Sequence, residues 1–79
     1  MDETIQLRLT GIFQSVFDDP DLRLTAAMTA KDVPEWDSLS HITLIVAIER
    51  EFRIRFTTAE VAGLMNVGDL ADRIRKKLA

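Results

Sequence analysis

A chain of 79 residues has room for one domain and one modest core, and is too short for a catalytic domain beside a second module. Hydrophobic residues make up 47% and charged residues 29%, which suits a folded globule and excludes a disordered tail. The formal net charge of -3 argues against a dedicated nucleic-acid binder, and the lack of cysteine excludes disulfides and thiolate zinc sites. Any thiol chemistry would need an imported sulfur. The start Met1-Asp2-Glu3 lacks the basic and apolar regions of a secretion signal, and the apolar run Leu39 to Ile48 is broken by Ser40, His41 and Thr43. The expectation is a cytoplasmic, monomeric protein with no membrane segment.

With only 3 Gly, 2 Pro and no alternating strand pattern, the elements read as helices throughout. The first spans Glu3 to Phe17, with Ile5, Leu9, Ile12, Phe13 and Val16 on one face. Leu7 falls off that stripe, at its edge or against another chain. Asp18-Asp19-Pro20-Asp21 carries the turn chemistry that stops this helix. Those carboxylates lack the spacing, central Gly and terminal Glu of a calcium loop, so a turn is the better account.

A long connection follows, seeded with Leu22, Leu24, Met28, Val33 and Trp36, which predicts a loop folded back over the core and kept ordered. Trp36 itself reads as loop-to-core packing. The second helix starts at Asp37 as N-cap, and Leu39, Ile42, Ile45, Val46, Ile48 and Phe52 spread over a wide apolar arc. That breadth predicts more than one packing neighbour. Leu44 and Arg50 need no role beyond packing and solvation. After Arg53-Ile54-Arg55-Phe56, Thr57 or Thr58 caps a short third helix reaching about Leu64, with Gly63 near its end. Asn66 and Asp69 open a last helix carrying Val67, Leu70, Ile74 and Leu78. Its basic residues Arg73, Arg75, Lys76 and Lys77 complement the helix dipole. The fold class is all-α: a small four-helix bundle of three longer helices and a short third one, forming one domain over residues 1–79.

The catalytic inventory is poor. His41 is the only histidine, so no multi-histidine metal site can form, and no Gly-rich phosphate cradle is present. Ser38 and His41 share a helix face beside Asp37, but a hydrolase would need Asp37 to orient His41 while capping the same helix. No oxyanion donors are visible either, so His41 reads as a partly exposed surface residue. Ser38 offers something else. It stands at the first helical position after a long loop, where unpaired backbone N–H groups and the positive end of the dipole favour a phosphate.

Asp37-Ser38-Leu39 resembles the Asp-Ser-Leu attachment motif of acyl carrier proteins, and the context makes the likeness specific. The motif lies near mid-chain, at the start of the second helix, after a long loop. The stretch from Asp37 to Phe56, with Glu49, Glu51 and Phe52, is similar to the family's second helix and its exit. The likeness continues to Asn66-Val67. The resemblance implies that Ser38 receives 4'-phosphopantetheine from coenzyme A through a phosphopantetheinyl transferase. It implies that Asp37 helps the transferase and its metal dock, and that Leu39, Ile42 and Val46 meet partner enzymes or border the arm. Loading and downstream acyl-transfer enzymes would be the other partners, and the chain itself would catalyse nothing.

Four departures set it apart from fatty-acid carriers. Ser40, Thr43 and Arg50 stand where that branch is often acidic, and Glu35-Trp36 replaces a Gly-containing approach to the motif. A specialised polyketide-like or acyl-transfer pathway is the expectation. The alternatives are an aminoacyl or peptidyl carrier, and, from another class, a helical interaction module whose Asp37-Ser38 is merely a cap.

Overall fold

A computed structural model describes residues 2–78; Met1 and Ala79, the two ends of the expected domain, lie outside the described residues. The order is α1 (Glu3–Val16), a long loop with one 3₁₀ turn (Ala30–Asp32), α2 (Ser38–Phe52), α3 (Thr58–Ala62) and α4 (Val67–Leu78). Among the described residues there is no strand. The all-helical expectation holds, with three longer helices and a short one.

Asp2 caps α1, its Oδ1 accepting from Ile5 N at 3.0 Å. The helix stops one residue short of the expected Phe17, because Asp18 turns left-handed at φ 49°. Asp19 N then donates to Gln14 O at 3.0 Å, and Asp21 N donates to Asp19 Oδ1 at 3.1 Å. The acidic cluster is thus a helix stop followed by an Asx turn, as its composition implies.

The core forms where the inner faces of α1, α2 and α4 meet. Leu9 and Phe13, Leu44 and Ile48, and Val67, Leu70 and Ile74 are all fully buried. Each such side chain contributes about 1.5–3 kcal/mol over leaving it in water. On α1, Ile12 and Val16 are only half-buried at the edge, and Leu7 is exposed. On α2 the expected arc divides. Ile45, Ile48 and Phe52 are buried together with Leu44, whereas Leu39, Ile42 and Val46 face solvent.

The long loop does fold back: Leu24, Met28 and Val33 enter the core, with Leu22 and Trp36 packed against it. It also clamps the start of α4. Met28 O accepts from Val67 N at 2.9 Å and Ala26 O from Gly68 N at 2.8 Å, satisfying two amides that a helix start leaves unpaired. The approach is close enough that a Cβ on Gly68 would sit 3.0 Å from Ala26 O. The 3₁₀ turn, unforeseen in the sequence, is held by Thr29 and Asp32 capping each other.

Thr57 and Glu60 form a reciprocal cap on α3, which ends at Ala62 rather than near Leu64 because Gly63 N already closes on Ala59 O at 3.0 Å. Asn66 Oδ1 accepts from Asp69 N at 2.8 Å, as expected for the opening of α4. The basic tail of α4 is paired. Arg73 and Lys77 reach Glu60 at 3.7 and 2.9 Å, and Arg75 and Lys76 reach Asp72 at 3.3 and 3.2 Å. These contacts hold the carboxyls of both Glu60 and Asp72 below their usual range; for Glu60 the Thr57 N–H is the larger cause, and for Asp72 it is Lys76.

Candidate functional site

The loop meets α2 at Asp37, whose backbone is extended at φ -119° while its side chain turns over the first helical turn. Asp37 Oδ1 accepts from Leu39 N at 3.0 Å and Ser40 N at 2.9 Å, which are two of the helix's unpaired amides. Ser40 completes a capping box. Its Oγ accepts from Asp37 N at 2.8 Å, and its proton has Glu35 O at 2.8 Å and Asp37 Oδ1 at 3.2 Å within reach. The Ser40 amide and hydroxyl, in that order of importance, hold the Asp37 carboxyl below its ordinary range. Ser40 therefore fixes the turn.

Ser38, the first residue of α2, is exposed, and among the described residues its hydroxyl makes no hydrogen bond. The backbone beneath it is rigid and the side chain is not committed. Three aromatic rings brace the approach. Trp36 meets Phe13 edge-on with centroids 5.3 Å apart, lies 6.2 Å from Phe17, and stacks on His41 at 6.0 Å. Trp36 Nε1 also donates to His41 Nδ1 at 3.1 Å. His41 is partly exposed, as expected, and its Nδ1 is taken by Trp36 and not by Asp37. The orienting contact that a hydrolase would require is absent from the pair Asp37 and His41.

Ser38 opens onto a groove of about 510 Å³ between the start of α2 and the α3–α4 connection. Trp36 and His41 form one wall, Val61, Leu64 and Met65 the other, and Leu70 closes the floor. An exposed hydroxyl beside an apolar groove of this size suits a tethered ligand more than a reaction needing buried charges.

A family described as "Phosphopantetheine attachment site" matches residues 8–74. Among solved structures, the chain is similar to the solution structure of the holo acyl carrier protein from Geobacter metallireducens. The two are 49% identical over 94% of this chain and 85% of that chain, with a TM-score of 0.88. Comparison with curated proteins returns no significant match.

The chain belongs to the acyl carrier protein family. The group that this family bears is covalent 4'-phosphopantetheine, and its members carry substrates for other enzymes instead of catalysing reactions themselves. The helical bundle and the resemblance carried by Asp37-Ser38-Leu39 agree with that membership. Within this acyl carrier fold, Leu39, Ile42 and Val46 stand 78%, 59% and 43% exposed along one side of α2. Among the described residues no helix is long and apolar enough to cross a membrane.

Besides the groove wall at Val61, Leu64 and Met65, sequence reasoning missed two polar parts of the site. Ser40 was legible as the third residue after an Asp cap, had serine been admitted beside Glu and Gln at that position. The Trp36–His41 bond had only a faint signal, the chain's one tryptophan and one histidine being five residues apart across a helix start.

Proposed function

We propose that Ser38 is the attachment point of 4'-phosphopantetheine and that the chain, acting as one domain over residues 1–79, carries acyl intermediates as thioesters on that arm. The observation that carries this reading is the uncommitted Ser38 hydroxyl, exposed on a doubly capped helix start and facing an apolar groove. Asp37 occupies the Leu39 and Ser40 amides, so the Ser38 N–H, which has no bond among the described residues, and the helix dipole are what favour a phosphodiester there. Asp37 makes its cap through Oδ1 alone, and among the described residues Oδ2 has no partner. That oxygen is available to the metal of a phosphopantetheinyl transferase.

The arm supplies the thiol that a cysteine-free chain lacks, and tethering keeps its cargo at high effective concentration beside each partner. The apolar walls of the groove support an acyl cargo over a charged aminoacyl one. Leu39, Ile42 and Val46 form the surface met by loading and acyl-transfer enzymes in the cytoplasm. The departures around the motif favour a specialised pathway over housekeeping fatty-acid synthesis.

The test is incubation with coenzyme A and a promiscuous phosphopantetheinyl transferase, read by intact mass. The chain is expected to gain one arm, and Ser38→Ala none while keeping its helical circular dichroism. Modification of folded Ser38→Ala, or none of the wild type, would overturn the assignment.

A further inference from the structure

The exposed side of α2 ends in charge, and that charge is positive. At about 100° per residue, Leu39, Ile42, Thr43, Val46, Arg50 and Arg53 fall within roughly one 100° arc, a stripe about 21 Å long. Leu39, Ile42 and Val46 form its apolar part, and Arg50, Arg53 and the following Arg55 gather with Val46 around one surface depression at its far end. Among the described residues none of these three guanidinium groups has a carboxylate within ion-pair distance, in contrast to the paired basic tail of α4.

Both acidic residues of α2 are engaged elsewhere. Glu49 Oε2 accepts from Phe56 N at 2.9 Å, tying the chain that leaves the helix, and Glu51 Oε2 meets Arg8 at 2.9 Å on α1. Glu49 is the one carboxylate at the depression, so three guanidinium groups there leave it net positive. Arg53 adds an independent sign. At φ 57° it occupies the left-handed position of the helix stop, with Ile54 N closing on Glu49 O at 3.2 Å. Glycine ordinarily fills that position because a side chain there is strained. An arginine stands at a position whose backbone favours glycine.

We infer that the enzyme that loads the arm, docking on the α2 surface proposed above, presents an apolar patch rimmed by carboxylates. The inference rests on the carrier reading and names the partner's chemistry: charge complementarity to Arg50, Arg53 and Arg55, about 21 Å from the Ser38 end of the stripe.

A charge-swap experiment tests it, using a fatty-acid-type acyl–carrier ligase with a basic docking patch and the same ligase with that patch reversed to glutamate. Wild type, Arg50→Glu/Arg53→Glu and Arg53→Gly are first converted to the arm-bearing form and checked by mass. The double reversal should be loaded roughly tenfold faster than wild type by the basic ligase, and slower by the reversed one, with the differences shrinking in high salt. Arg53→Gly should slow loading by the reversed ligase while its thermal midpoint holds or rises. Equal rates across the variants, in proteins that all carry the arm, would overturn the docking inference and leave the carrier reading standing. A wild type that takes no arm would end both.

Discussion

On α2, Leu44, Ile45, Ile48 and Phe52 point into the bundle, while Leu39, Ile42 and Val46 stand exposed on the opposite side. The residue types are interchangeable; their surroundings are not. The inner set meets Leu9 and Phe13 of α1 and the buried face of α4, and its burial holds the fold together. Among the described residues the outer set has nothing against it, and a domain that keeps a contiguous apolar stripe exposed gives up stabilisation it could have had. The difference teaches that a helix with apolar residues all round need not be a central core helix. On the reading proposed above, one side belongs to the molecule and the other to its partners.

Truncation on each face is the strongest way to break that comparison. Ile48→Ala should destabilise by about 2–5 kcal/mol, the loss of a fully buried aliphatic side chain plus the cavity left behind. Val46→Ala, two residues away on the outer side, should stay within about 0.5 kcal/mol of wild type. Urea unfolding followed by circular dichroism measures both. If the Val46 variant lost as much as the Ile48 variant, the outer stripe would be part of the core and not a docking surface.

That division also marks how far the sequence could be read. Four helices, their approximate ends and the returning loop follow from local chemistry: periodic apolar residues, turn-forming Asp and Pro, and Leu24, Met28 and Val33 in a segment otherwise polar. Ser38 was legible because the helix cap, the loop and the resemblance converge on it. Which side of α2 faces inward was not, since apolar residues occupy both and only packing against α1 decides. Leu44 fell outside the expected arc for the same reason. The groove wall from Val61 to Met65 lies more than twenty residues from Ser38 and is assembled by tertiary contact. The commitments of Glu49 to Phe56 N and of Glu51 to Arg8 join separate segments, so the spacing within α2 does not show them.

A smaller effect sharpens the contrast at the helix start, where polar bonds and not burial set the geometry. Ser40→Ala removes a hydroxyl bonded to Asp37 N and Glu35 O and should cost about 1 kcal/mol at neutral pH. It should also move the Asp37 carboxyl back up toward its ordinary value, because the Ser40 hydroxyl is one of the contacts holding it down. The sign of the pH dependence follows from linkage. A carboxyl with a lowered folded-state pKa adds stability above its unfolded value, about 3.9 for Asp, and loses it as pH falls through the folded value. The carboxyls of Glu60 and Asp72 behave alike in both proteins and cancel in the difference. The gap in thermal midpoint between wild type and Ser40→Ala should therefore narrow from pH 7 to pH 3, and a carbon-detected NMR titration should show Asp37 protonating at higher pH in the variant. The Ile48→Ala gap contains no titrating contact and carries no such Asp37-linked narrowing. A Ser40→Ala gap of constant size across that range would mean that the Asp37 carboxyl is held down by backbone amides alone, the serine stabilising the turn only through its bonds to Asp37 N and Glu35 O.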